Sequence, residues 1–67
     1  MNTEQNRITK RLYTVEEAAM YLGRSVWSVR RLIWDGLLPE VRIDKRVQVD
    51  IRDLDAFIEH NKQQLAA

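Results

Sequence analysis

The 67-residue sequence has no cysteine, one histidine, one proline and two glycines, and aromatic side chains make up 7% of it. Without cysteine, neither a disulfide nor a thiolate metal site can brace the fold, and nothing points to secretion. His60 alone cannot build a metal centre. No apolar run approaches the roughly 20 residues needed to cross a bilayer. The opening MNTEQNRITKR is polar and lacks the apolar stretch of a secretory leader, so a cytoplasmic location is expected. No nucleophile–base pair is visible and so short a chain walls no substrate pocket, so neither an enzyme nor a cofactor is expected. A chain of this length buries only about 60% of the surface its unfolded form exposes, which gives one domain with one small core.

What is present is unevenly distributed. The net charge of +1 conceals a basic middle between acidic flanks. Residues 14–23 carry Glu16 and Glu17 and no cation. Residues 24–48 carry Arg24, Arg30, Arg31, Arg42, Lys45 and Arg46 against Asp35, Glu40 and Asp44. Acid returns after that, with Asp50, Asp53, Asp55 and Glu59 against Arg52 and Lys62.

Residues 1–10 are polar and aperiodic and read as a disordered arm. Thr14 followed by Glu17 matches a capping box, and Val15, Ala18, Ala19 and Leu22 fall on one face of a two-turn helix. Gly23 supplies the positive φ that ends it. Ser25 then caps a second helix, closed by Gly36. On that helix Val26, Val29, Leu32 and Ile33 form the apolar stripe, while Trp27, Ser28, Arg31 and Trp34 point elsewhere and Arg30 sits at the border. Two short helices joined by a tight glycine turn describe a helix-turn-helix.

After Pro39 the period changes to two. Val41 and Ile43, then Val47 and Val49, mark a hairpin. A two-residue turn at Asp44-Lys45 would split the apolar set between the two faces. A three-residue loop of Asp44, Lys45 and Arg46 sets Ile43 against Val47 and Val41 against Val49, and is the register expected. Asp50 caps a last helix with Asp53 in its first turn, and Ile51, Leu54, Phe57 and Ile58 as its buried stripe. Leu12-Tyr13 could add a short strand, and residues 61–67, with Leu65 alone among polar neighbours, read as a fraying tail.

The ordered set YTVEEAA, Gly23 with Ser25, SVRRLIWDGLLP, VRIDKRVQV and DLDAFI resembles the winged helix-turn-helix domain shared by phage excisionases and MerR-type regulators. The resemblance covers residues 12–58. It implies a mainly α fold with a small β-hairpin wing, occupying residues 11–60, that binds double-stranded DNA. It further implies that the second helix enters the major groove while the wing reaches the backbone or minor groove. Matching positions place Trp27, Ser28, Arg30 and Arg31 against DNA, with Lys45 and Arg46 in the wing. Departures are Arg24, where the family is usually apolar, Trp27, where it is more often polar or cationic, and Asp44, where a wing-tip glycine is usual.

Each of these residues has a plain structural alternative. Arg31 lies nearly opposite the apolar stripe, so it is either a base- or phosphate-reading residue or a solvated helix former. Arg30 is expected on phosphate, or else in an ion pair with a glutamate of the first helix. Trp27 can stack on Arg31, lie against sugar and thymine methyl groups, or fold back over the core. Trp34 is expected to pack against the wing or the last helix. Ser25 is chiefly a cap whose helix N-terminus can also donate N–H groups to phosphate.

The function expected is sequence-specific DNA binding of the excisionase type, acting through DNA bending or recruitment of a recombinase, in association with the nucleoid. Expected partners besides duplex DNA are an integrase or recombinase, or neighbouring copies of the same chain. A small transcriptional regulator on the same scaffold is the close alternative. An interaction adaptor using the Trp/Arg face is the alternative from another class.

Overall fold

The computed structural model describes residues 10–63. The expected arm, apart from Lys10, and the tail from residue 64 on, including Leu65, lie outside the described residues. The elements are β1 (Leu12–Thr14), α1 (Val15–Leu22), α2 (Val26–Trp34), β2 (Val41–Ile43), β3 (Arg46–Asp50) and α3 (Ile51–Asn61).

Local chemistry sets each helix boundary. The Thr14 hydroxyl accepts from the Glu17 N–H at 3.0 Å, and Glu17 Oε1 accepts from the Thr14 N–H at 2.9 Å, closing the expected capping box. At the other end of α1, Gly23 adopts φ +68°. Gly23 N–H donates to Met20 O and Arg24 N–H to Ala19 O, the paired bonds of a Schellman closure. The same closure ends α2: Gly36 adopts φ +77°, its N–H reaches Ile33 O, and Leu37 N–H reaches Leu32 O. Ser25 and Asp50 cap α2 and α3, accepting from the N–H groups of Ser28 and Arg52.

The three strands form one antiparallel sheet in the order β1-β3-β2. The short strand expected at Leu12-Tyr13 is present, and sets Tyr13 opposite Val49. The hairpin register differs from the expected one. Val41 pairs with Gln48, Arg42 with Val47 and Ile43 with Arg46, so the turn is the two residues Asp44-Lys45. Both adopt positive φ, +52° and +68°, which is the backbone of a type I′ turn. That turn matches the right-handed twist of the strands, and this local preference outweighs keeping four apolar residues on one face. Val47 and Val49 therefore face the helices, while Ile43 is 49% exposed.

Val15, Ala18 and Ala19 of α1, Val29 of α2, Val49 of β3, Leu54 of α3 and Leu38 make the buried core. Leu22, Val26, Leu32, Ile33, Val47 and Phe57 pack around it. Leu38 lies between elements and carries no periodic signal. Its N–H is drawn to Leu32 O by the closure of α2, which turns the side chain inward. Two side-chain ties hold the periphery. Arg11 meets Asp50 through Nε and Nη2 at 3.1 and 2.9 Å, and Tyr21 of α1 donates to Asp55 of α3. No helix among the described residues is long and apolar enough to cross a membrane.

Candidate nucleic-acid interface

Helix α2 is anchored by Val29, which is fully buried, with Val26, Leu32 and Ile33 beside it. This fixes which side chains are left outside. Trp27 is 68% exposed and Trp34 is 87% exposed, and Arg30 and Arg31 lie exposed between them. Seven residues are two helical turns, so the indoles share one side of α2. Trp34 therefore does not pack against the wing or α3 as expected. Leu38, not Trp34, fills the space beyond the end of α2.

The Arg31 guanidinium carbon lies 5.7 Å from the Trp27 ring centroid, within cation–π range. Arg31 Nε also donates to Asp35 Oδ2 at 3.1 Å. Of the readings open for Trp27, stacking with Arg31 is the one present, and folding back over the core is not. At the entrance to α2, Arg24 Nε donates to Ser28 Oγ at 3.0 Å. Ser28 is half-buried, held on one side by Arg24 and on the other by the Ser25 cap. Arg24, Ser25 and Ser28 thus form one cationic, N–H-rich helix start.

A second group of cations lies where α2 meets the wing. One cleft of about 290 Å³ is lined by Arg30 and Arg46 together with Thr14, Glu16 and Gln48. An adjoining cleft of about 520 Å³ is lined by Arg30, Arg42, Trp34 and Glu40 over Ile33 and Val47. Arg30 makes no ion pair with a glutamate of α1 among the described residues. Arg42 contacts Glu40 at 3.5 Å. Among the described residues Arg24, Arg30, Lys45 and Arg46 have no carboxylate partner. Cations left unneutralised beside one another are the electrostatic footprint of a polyanion site. Lys45 stands exposed at the hairpin tip and lines neither of these clefts.

Arg42 and Arg24 lie outside the set expected from the sequence to face DNA, although Arg24 stands out there as a departure from the family pattern. Arg42 was hidden by the register: a three-residue loop turns it away from α2, whereas the type I′ turn sets it opposite Val47 on the helix-facing side. The signal for Arg24 was its position directly before a helix cap, where a cation adjoins the free N–H groups.

Two helices joined at Gly23, the second carrying an exposed cationic face, with a hairpin flanking it, define a winged helix-turn-helix. A family model described as a helix-turn-helix domain matches residues 12–62, and the chain belongs to that family. It is a DNA-binding fold, with α2 in the position of the recognition helix. No curated protein and no solved structure matches the chain.

Proposed function

We propose that the protein binds a specific duplex DNA site in the manner of an excisionase. In this reading α2 enters the major groove with Trp27, Ser28, Arg30 and Arg31, and the helix start at Ser25 donates N–H groups to phosphate. Arg42, Lys45 and Arg46 carry the wing onto the backbone or minor groove. The domain doing this spans residues 11–60. The observation that carries the reading is the division of α2, whose apolar stripe is spent on the core while its indoles and guanidinium groups stand outside.

Wing and helix both present cations to the clefts at Arg30. A protein that holds phosphates on two sides of a groove gains contacts when the duplex bends toward it, which supports action by bending. The acidic residues Asp53, Asp55 and Glu59 lie on α3, an element distinct from α2 and the wing, and suit a protein partner such as a recombinase or an adjacent copy of the chain. Selection of bound fragments from a random duplex pool, repeated at two ionic strengths, tests this. A consensus with affinity falling steeply with salt is expected. Recovery of no consensus, or binding indifferent to salt, contradicts it.

A further inference from the structure

We infer that Asp35 and Trp27 are positioning residues that set the Arg31 guanidinium for reading one guanine, so that base discrimination at that pair depends on all three. The inference rests on the reading of α2 as the helix in the groove. Its basis is the chain of contacts along one side of α2. The Arg31 guanidinium lies 5.7 Å from the Trp27 ring centroid, and its Nε is committed to Asp35 Oδ2 at 3.1 Å. A guanidinium has five N–H donors in a planar fork. The indole restricts the plane of that fork and the carboxylate takes its Nε hydrogen. What remains is the pair of Nη groups, whose hydrogens match the O6 and N7 acceptors of guanine.

Helix stability gives little reason for this pair. Asp35 stands at the C-terminal end of α2, where the helix dipole disfavours an anion. An acid four residues after its base is also the weaker orientation of an i,i+4 pair. Among the described residues the Asp35 side chain accepts only from Arg31 and from no backbone N–H; the helix end is closed by main-chain bonds and Gly36. An arginine held by two neighbours loses less rotamer freedom on meeting a base than a freely moving one does. A carboxylate beside it also repels phosphate, so the arrangement favours base contact over indiscriminate backbone contact.

The test measures affinity for the selected duplex and for duplexes carrying each single base-pair change, with Asp35→Asn, Trp27→Leu and Arg31→Ala. Arg31→Ala identifies the base pair that Arg31 reads. Asp35→Asn is expected to reduce discrimination at that same pair about tenfold while binding random DNA as tightly as before or tighter. Trp27→Leu keeps apolar bulk on an exposed position and is expected to reduce discrimination at the same pair. In the Arg31→Ala background, Asp35→Asn should change discrimination no further. Equal tightening on every duplex by Asp35→Asn, with discrimination intact, overturns the inference and shows a bulk charge effect. So does a change that persists without Arg31. If Arg31→Ala itself leaves every base preference intact, the positioning role falls while DNA binding stands. Absence of affinity for any duplex removes the underlying reading instead.

Discussion

Arg42 shows how a single side chain changes role with backbone register. It sits on β2 directly opposite Val47 of β3 and lines the cleft it shares with Arg30. In the proposed complex a cation there meets phosphate, not bases, so Arg42→Ala should weaken binding to all duplexes alike. The slope of log affinity against log salt should flatten by about 1. A loss confined to one sequence, measured by titration at several ionic strengths, would contradict the assignment. The sequence made Trp27, Arg30 and Arg31 legible because helical periodicity excludes them from the core stripe. It did not make Arg42 legible, because strand facing depends on loop length, and one residue more or less inverts it. Trp34 was misplaced for a related reason: large aromatic side chains are read as core by default, and burial here went to Leu38.

At the scale of elements, caps and stops were the most legible features. Thr14 with Glu17, Gly23, Ser25, Gly36 and Asp50 each act through backbone groups within a few residues, so short-range pattern suffices. The hairpin turn was the least legible, since Asp44 suits the first position of a type I′ turn but Lys45 stands where glycine usually marks the second. Lys45 holds φ +68°, a conformation disfavoured for a residue with a side chain. Lys45→Gly should therefore stabilise the fold by roughly 0.5–1 kcal/mol, seen as a higher melting temperature, while weakening DNA binding. A lower melting temperature would mean that the turn is held differently. Val29 is the fully buried residue by which α2 is fixed to the core. Val29→Ala should cost about 1–3 kcal/mol, and in a domain this small each kcal/mol lowers the melting temperature by about 4–8 °C. An unmoved melting temperature would mean that another face of α2 is buried.

The whole molecule is a small core with a charged periphery tied across it. Lys10 and the Thr14 N–H hold the Glu17 carboxyl below the usual glutamate range. Arg11, and then the Arg52 N–H, hold Asp50 below the usual aspartate range. Both groups bind a proton more weakly in the folded chain than in the unfolded one. Unfolding therefore takes up protons as pH falls, and acid destabilises the fold. The loss should begin near the ordinary values, 4.5 for Glu17 and 3.8 for Asp50. It should be complete only below the lowered folded values. Melting temperatures across this range should fall in the native chain and fall less in Asp50→Asn; parallel curves would contradict the role given to Asp50. The overall architecture was legible because every helix announces its start, the first two also announce their ends, and the order of pieces resembles one family, whereas the mutual placement of wing and helix needed the structure.

The central claim is that the outward side of α2 meets duplex DNA, and Trp27 reports on it directly. In Trp34→Phe it is the sole indole of the chain. Titration of this variant with the selected duplex should change the Trp27 emission in proportion to binding, with an affinity that falls steeply between low and moderate salt. Binding with unchanged emission, or no binding to any duplex, would contradict the account.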